Sequence, residues 1–169
     1  YGANLLKNTV KEEILIMKDQ LDLFKECNAP CMVVAEVSGS IQGQSKKPLS
    51  NRPILNNDEW KTLYNRINEI GKFMQDSGVP LAYHHHMGTV VQSQEDTERL
   101  IDNTSDAVKL LIDTGHMMFA GGDFVKIAKD YSARLYHVHC KDIRKDVLDK
   151  AIKNDLSFID AFFAGAFTV

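Results

Sequence analysis

Two spacings of hydrophobic residues alternate along the chain. Between positions 8 and 27, apolar residues recur at steps of three and four: Val10, Ile14, Met17, Leu21 and Phe24. This spacing predicts an amphipathic helix, and Asn8 or Thr9 can cap its start. The segment 30–37 (PCMVVAEV) is a short and nearly continuous apolar run. Such a run is typical of a strand that is buried on both faces.

The same alternation continues to the end of the chain. Further apolar runs predict strands at 80–85, 108–113 and 134–140. Helices are predicted between and after these strands. Asp58 begins a helix that ends at Gly78, and Ser93 and Asp96 have the spacing of a capping box at the start of another. Further helices are predicted over 123–131 and 141–154. Because strands and helices alternate, the sequence predicts a parallel sheet that is covered by helices.

Two topologies fit this alternation: an open doubly wound sheet and a (β/α)8 TIM barrel. No Gly-x-Gly-x-x-Gly turn follows the first predicted strand, which disfavours a nucleotide-binding open sheet. A complete barrel needs about 250 residues, whereas only four strands are predicted here. We therefore expect one domain over 1–169 that forms an incomplete barrel of about four central βα units. The strands near 31–37 and 135–140 would then be sheet edges, which favours a homo-oligomer or a longer parent chain.

Composition narrows the class of protein. The 169 residues are 44% hydrophobic, which is enough for a real core, and the net charge is −3. This charge gives no reason to expect nucleic acid or an anionic membrane as a partner. No apolar run is long enough to span a membrane, and the N-terminal segment lacks the apolar stretch of a signal peptide. Three cysteines form no disulfide pattern, so we expect buried thiols at Cys27 and Cys31 and a cytoplasmic protein.

Titratable residues gather at the predicted carboxyl ends of the strands, where both topologies place their active sites: Glu36, the histidines at 84–86, Asp113, His139 and Lys141. Because side chains alternate along a strand, His84 and His86 share one face and His85 takes the other. His84, Asp113 and His139 can meet if consecutive strands bring their ends together. Two imidazoles and a carboxylate suit a divalent metal ion.

Less specific interpretations of these residues remain open. A histidine at a strand end is often only a hydrogen-bonded core or surface residue. Asp113 can cap the turn that follows it, and Lys141 can pair with the neighbouring Asp142. Gln42 and Gln44 lie in a long polar loop and can be ordinary loop residues.

Four segments in this order resemble the inosose dehydratases, also called 2-keto-myo-inositol dehydratases: 35–44 (AEVSGSIQGQ), 83–92 (YHHHMGTVVQ), 113–123 (DTGHMMFAGGD) and 136–144 (YHVHCKDIR). These enzymes belong to the xylose isomerase-like TIM-barrel superfamily. The resemblance covers essentially the whole chain. The segments HHHMGT and HVHCKDIR are fairly specific, whereas DTGH is shared widely by sugar isomerases and epimerases of the superfamily.

The resemblance implies one divalent metal ion that is held by four side chains at strand ends. By position, His84, Asp113 and His139 take three of these places, and the fourth, a glutamate on the last strand, has no counterpart in the sequence. Mn²⁺ or Co²⁺ is the implied metal, with Zn²⁺, Fe²⁺ and Mg²⁺ as alternatives. His116 matches the histidine that lies beside the substrate in this superfamily.

The implied reaction is a metal-dependent dehydration of a keto-inositol to a trihydroxycyclohexane-dione, which makes a small polyol the expected partner. It needs a base for the proton α to the ketone and an acid for the departing hydroxyl. The candidates for these proton transfers are Glu36, His116 and Lys141, with the assignment of base and acid left open. The candidates for substrate binding are His86, Gln42 and Gln44. The alternatives are a sugar epimerase or isomerase with the same metal site, and an inactive truncated fragment that self-associates.

Overall fold

A computed structural model describes residues 1–168 as a layer of parallel strands flanked by helices. In chain order the elements are β1 (Gly2–Ala3), α1 (Val10–Glu26), β2 (Met32–Glu36), α2 (Asn57–Asp76), β3 (Leu81–His84), α3 (Gln94–Asp102), β4 (Val108–Asp113), α4 (Thr114–Phe119), α5 (Phe124–Asp130), β5 (Leu135–His139), β6 (Asp142–Ile143), α6 (Lys145–Lys153), α7 (Phe158–Phe163) and β7 (Phe167–Thr168). None of these helices has both the length and the apolar content that are needed to cross a membrane.

The first five strands form one parallel sheet in the order β1-β2-β3-β4-β5. Strands that are consecutive in the chain are neighbours in the sheet, which is the arrangement of a barrel wall and confirms the predicted fold class. The sequence did not predict β1. Gly2 and Ala3 pair with Ala35 and Glu36, so the expected sheet edge at β2 is partly covered. A strand of two residues is too short to show a hydrophobic period.

The helices begin at side chains that satisfy their first backbone amides. Thr9 caps α1 and Ser93 caps α3, as predicted. The prediction that Asp58 begins α2 was wrong by one residue: α2 begins at Asn57, because the Asn56 side chain caps it by accepting hydrogen bonds from the amides of Asp58 and Glu59. Each cap fixes where a helix leaves its loop, and hence how the helix lies on the sheet.

The two faces of the sheet have different surroundings. One face packs against α1 and α2 through large side chains of the strands, among them Met32, Val34, Leu81 and Tyr83. The opposite, inner face carries a small cluster of Cys31, Val33, Ala82 and Leu111. His84 and Asp113 lie two positions beyond Ala82 and Leu111, so strand alternation places them on the inner face as well. Contrary to expectation, Cys27 is exposed, whereas Cys31 is buried.

Residues 142–168 form a separate terminal lobe after β5. Its strands β6 and β7 pair in antiparallel fashion, and α6 and α7 lie between them in the chain. The lobe has its own apolar cluster, which includes Met87 just after β3 and Phe119 at the end of α4. It therefore packs beside the carboxyl ends of the strands. The sequence predicted only the first helix of this lobe, and it also missed α4.

Candidate metal site and adjoining cavity

The carboxylate of Asp113 is the centre of the candidate site. His84 at the end of β3 and His139 at the end of β5 each place a ring nitrogen 3.3 Å from Asp113 Oδ2. The Lys141 ammonium contacts the same oxygen. The sequence predicted that His84, Asp113 and His139 would meet, and the structure brings them together. Their role as metal ligands stays a prediction.

His116 is a further nitrogen donor at this point. Asp113 Oδ1 caps α4 by accepting a hydrogen bond of 3.0 Å from the His116 amide, which holds the His116 ring beside the carboxylate. His116 Nε2 lies 3.9 Å from Asp113 Oδ2, and His116 Nδ1 is buried with no hydrogen-bond partner within residues 1–168. The ligand atoms of His84, Asp113 and His116 lie within 4.8 Å of one another. His116, which sequence reasoning assigned to proton transfer, is thus also placed to bind a metal.

The electrostatics favour the protonation states that metal binding requires. Burial alone would raise the pKa of the Asp113 carboxyl, but the hydrogen bonds from His84 and from the His116 amide and the contact with Lys141 together lower it. Burial, followed by the neighbouring His86, lowers the pKa of His116. Burial also lowers the pKa of His139. Near neutral pH the site therefore holds an ionised carboxylate beside the neutral rings of His116 and His139, and these donors fit a divalent metal.

The remaining two histidines of the HHH sequence have different surroundings. His85 points to the helix-covered face, where its Nε2 accepts a hydrogen bond of 3.2 Å from the Asp113 amide. Burial lowers the pKa of His85 to about 3. His86 Nδ1 donates to the Met87 carbonyl at 2.8 Å, and burial lowers the pKa of His86 to about 4. The His86 and His116 rings have centroids 3.8 Å apart, so His86 lies next to the cluster.

A cavity of about 270 Å³ opens beside the cluster. One side is polar and is formed by His86, His116 and Lys141. The other side is formed by the terminal lobe and is apolar, with Phe158, Phe162 and Phe167 among its residues. A small ring with an apolar face and a polar edge suits such a cavity. Sequence reasoning missed this aromatic wall, although the apolar residues of the segment 156–163 (LSFIDAFF) were a signal for it.

Thr114 holds the backbone of Lys141 in place. Its hydroxyl donates to the Lys141 carbonyl at 2.6 Å and accepts from the Lys141 amide at 2.9 Å. Gly115 lets Lys141 and Phe167 lie close to the start of α4, because a Cβ at position 115 would lie 2.7 Å from Lys141 Cβ and 2.9 Å from the Phe167 ring. Thr114 and Gly115 therefore fix the position of the segment after β5, in which Lys141 contacts the Asp113 carboxylate.

We expect Thr114→Val to lower the free energy of unfolding by about 1–3 kcal/mol, because it leaves two backbone groups of Lys141 without their partner. Thr114→Ser keeps the hydroxyl and should recover most of this loss. Urea unfolding of the three proteins provides the comparison. An unchanged free energy of unfolding in Thr114→Val would show that the hydroxyl does not stabilise this turn.

The other predicted site residues lie outside this cluster. Both carboxylate oxygens of Glu36 accept backbone hydrogen bonds, from Leu5 at 2.6 Å and from Ser38 at 2.7 Å. Strand alternation from Met32 places Glu36 on the helix-covered face, opposite to Asp113. Burial raises the pKa of Glu36. The expectation that Glu36 transfers protons at the site is therefore not supported by its position.

The two glutamines of the loop after β2 also differ in placement. The backbone of Gln42 packs closely on Gly88, where an added Cβ would lie 2.9 Å from Gln42 N. Gln42 thus adjoins the loop that follows the three histidines. Gln44 is exposed, and its amide donates to the Ser40 carbonyl of the same loop at 3.1 Å. Only Gln42 lies next to a segment that carries site residues.

Comparisons with known proteins show which proteins this chain is similar to. The family model described as xylose isomerase-like TIM barrel matches residues 2–161. The chain is 38% identical over 169 residues to the rhizopine catabolism protein MocC of Rhizobium meliloti, with 100% of this chain and 52% of MocC covered. It is 43% identical over 166 residues to inosose dehydratase 1 of Bacillus cereus, with 97% of this chain and 54% of that protein covered. The chain thus spans about half the length of the curated relatives it matches.

A solved structure of the same fold is that of the IolI protein with a zinc atom. The match has a TM-score of 0.60 and 16% sequence identity, and it covers 79% of this chain and 45% of IolI. At this identity the likeness concerns the fold.

Proposed function

The chain belongs to the xylose isomerase-like TIM-barrel family, and on this premise we propose that the protein is a metal-dependent hydro-lyase that dehydrates a keto-inositol, 2-keto-myo-inositol, to a trihydroxycyclohexane-dione. The similarity to inosose dehydratases over nearly the whole chain supports the substrate class. The observation that carries the proposal is the convergence of His84, His139 and Lys141 on one oxygen of Asp113.

His84, Asp113 and His139 would hold the metal ion, and His116 would lie beside this set, with its Nε2 3.9 Å from Asp113 Oδ2. A divalent metal bound there supplies Lewis acidity toward the ketone and its neighbouring hydroxyl. The mixed nitrogen and oxygen donors suit Mn²⁺, Co²⁺ or Zn²⁺, and Mn²⁺ or Co²⁺ is our proposal. The zinc atom of IolI is in keeping with a metal site in this fold.

The protein's own residues provide the proton transfers. His116 is neutral and borders the cavity, so it can take the proton α to the ketone. Lys141 brings an ammonium group to the same cavity, where it can protonate the departing hydroxyl. His86 and Gln42 are our candidates for binding ring hydroxyls, and the aromatic wall can cover the apolar face of the ring. Glu36 takes no part, because both of its oxygens already accept backbone hydrogen bonds.

The full-length protein, freed of metal and then supplied with Mn²⁺, Co²⁺ or Zn²⁺, should convert 2-keto-myo-inositol to a product that is lighter by one water. Chelation should abolish the conversion, and added metal should restore it. Mass spectrometry separates the alternatives, because an epimerase or isomerase would give a product of unchanged mass. An isobaric product would replace the lyase with that alternative, and no turnover with any metal would contradict both.

The proposal also includes a cellular compartment and an oligomeric state. Cys27, Cys31 and Cys140 are free thiols, which favours a reducing cytoplasm. Self-association stays a prediction. Tyr136 and Val138 are exposed on β5, the last strand of the sheet within residues 1–168, and are the apolar side chains that such contacts would cover. Light scattering on the full-length protein measures the oligomeric state directly.

A further inference from the structure

Lys141 lies where a cation bound to Asp113 would lie. Four nitrogen atoms surround Asp113 Oδ2: His84 Nε2 and His139 Nδ1 at 3.3 Å, His116 Nε2 at 3.9 Å, and Lys141 Nζ in direct contact. The three imidazoles can donate a lone pair to a metal, whereas an ammonium group has none to give. A metal ion and the Lys141 ammonium therefore compete for one oxygen, and their like charges repel each other.

We propose that Lys141 is a placeholder cation, whose ammonium neutralises Asp113 in the metal-free protein and is displaced when a metal ion binds. The inference rests on the metal site of the proposed function and assigns Lys141 a part in metal uptake. Asp113 is fully buried, so its charge requires a partner whether or not metal is present. Lys141 supplies that partner only until the metal ion does.

The structure allows the side chain of Lys141 to move while its backbone stays in place. Thr114 holds both backbone polar groups of Lys141, so a displacement is confined to the flexible side chain. That side chain is 30% exposed and borders the 270 Å³ cavity, which gives the ammonium room to turn away from Asp113. The displaced group would then face the cavity beside His86 and His116, where the proposed reaction needs a proton donor.

The first test compares metal affinities in the metal-free full-length protein, by titration with Zn²⁺ against a chelator of known affinity at one pH. We expect Lys141→Gln to bind Zn²⁺ about tenfold more tightly than the wild type, because the competing charge is gone. Lys141→Arg keeps a positive charge and should stay close to the wild type. Lys145→Gln is the matched control, since it removes an equal charge from an exposed lysine that pairs with Asp149 on α6.

The second test follows Lys141 itself in the wild-type protein, so it holds even where Lys141→Gln fails to fold. A brief reaction with an amine acylating reagent, with sites read by mass spectrometry, should modify Lys141 about threefold or more faster after saturation with Zn²⁺, because the amine leaves its buried partner. The labelling of Lys145 should not change.

The outcomes separate the inference from the proposed function. Equal or weaker Zn²⁺ binding by Lys141→Gln, or Lys141 labelling that Zn²⁺ leaves unchanged, would overturn the placeholder role. Tighter binding by Lys141→Gln, together with a wild-type protein that dehydrates no keto-inositol with any metal, would support the placeholder and overturn the proposed function alone. No binding of Zn²⁺, Mn²⁺ or Co²⁺ by either protein would overturn both.

Discussion

Replacing Asp113 with asparagine is expected to lower metal affinity by about 100-fold or more and to remove most of the activity at limiting metal. Asp113 Oδ2 is the atom on which His84, His139 and Lys141 converge, and its negative charge offsets the charge of the metal ion. Asparagine keeps the size of the side chain but presents a neutral amide. Its oxygen can still accept the hydrogen bond that Asp113 Oδ1 receives from the His116 amide, so α4 should keep its cap.

Asp123→Asn is the matched control for this change. Asp123 caps α5 through its side-chain oxygen, which accepts from the amides of Val125 and Lys126, just as Asp113 caps α4. Both variants thus remove a charge at a helix cap, but only Asp113 lies in the cluster. Titration with Zn²⁺ and Mn²⁺ should show a large loss for Asp113→Asn and none for Asp123→Asn. An Asp113→Asn protein that binds both metals within twofold of the wild type would exclude Asp113 as a ligand.

The meeting of His84, Asp113 and His139 was predictable because it follows from two local properties. Each residue ends an apolar run that predicts a strand, and the carboxyl ends of neighbouring parallel strands lie at one edge of the sheet. The bounds of β4 were predicted without error for the same reason, since 108–112 is apolar except for Lys109 and the run ends at Asp113. Neither inference needs knowledge of distant contacts.

The position of Glu36 shows where this reasoning fails. Glu36 also lies near the end of a predicted strand, 30–37, but a strand that is buried on both faces gives no hydrophobic alternation to tell the two faces apart. Only the packing of Met32 and Val34 against the helices fixes the outer face, and Glu36 shares it. On that face its carboxylate accepts hydrogen bonds from the amides of Leu5 and Ser38.

The terminal lobe depends on contacts that no local pattern reveals. β7 is a strand only because Phe167 pairs with Ile143, 24 positions earlier, and two residues carry no period of their own. The aromatic wall of the cavity comes from this lobe, and so does the ring that meets Gly115. The polar half of the site could therefore be predicted from the sequence, whereas its apolar half required the structure.

The metal-free protein is expected to lose stability steeply as the pH falls from about 6.5 to about 4. Burial lowers the pKa of His85 to about 3 and that of His86 to about 4, and it lowers the pKa of His116 as well. A histidine in an unfolded chain has a pKa of about 6.5, so the unfolded state binds more protons in this window. The stabilising contribution of the neutral rings is thus present above about pH 6.5 and is lost on acidification. Each ring adds about 1.4 kcal/mol per pH unit to the slope, so three rings give about 4 kcal/mol per unit.

The variant His85→Gln isolates one of these three rings. Glutamine cannot take up a proton in this range, and its side-chain oxygen can accept the hydrogen bond that His85 Nε2 receives from the Asp113 amide. Urea unfolding of metal-free protein at pH 7, 6 and 5 should show a shallower slope for the variant, by about 1 kcal/mol per pH unit on average over this range. A slope that His85→Gln leaves unchanged would mean that His85 is protonated equally in the folded and unfolded states, contrary to its burial. Because the comparison is between slopes, a uniform loss of stability in the variant does not affect it.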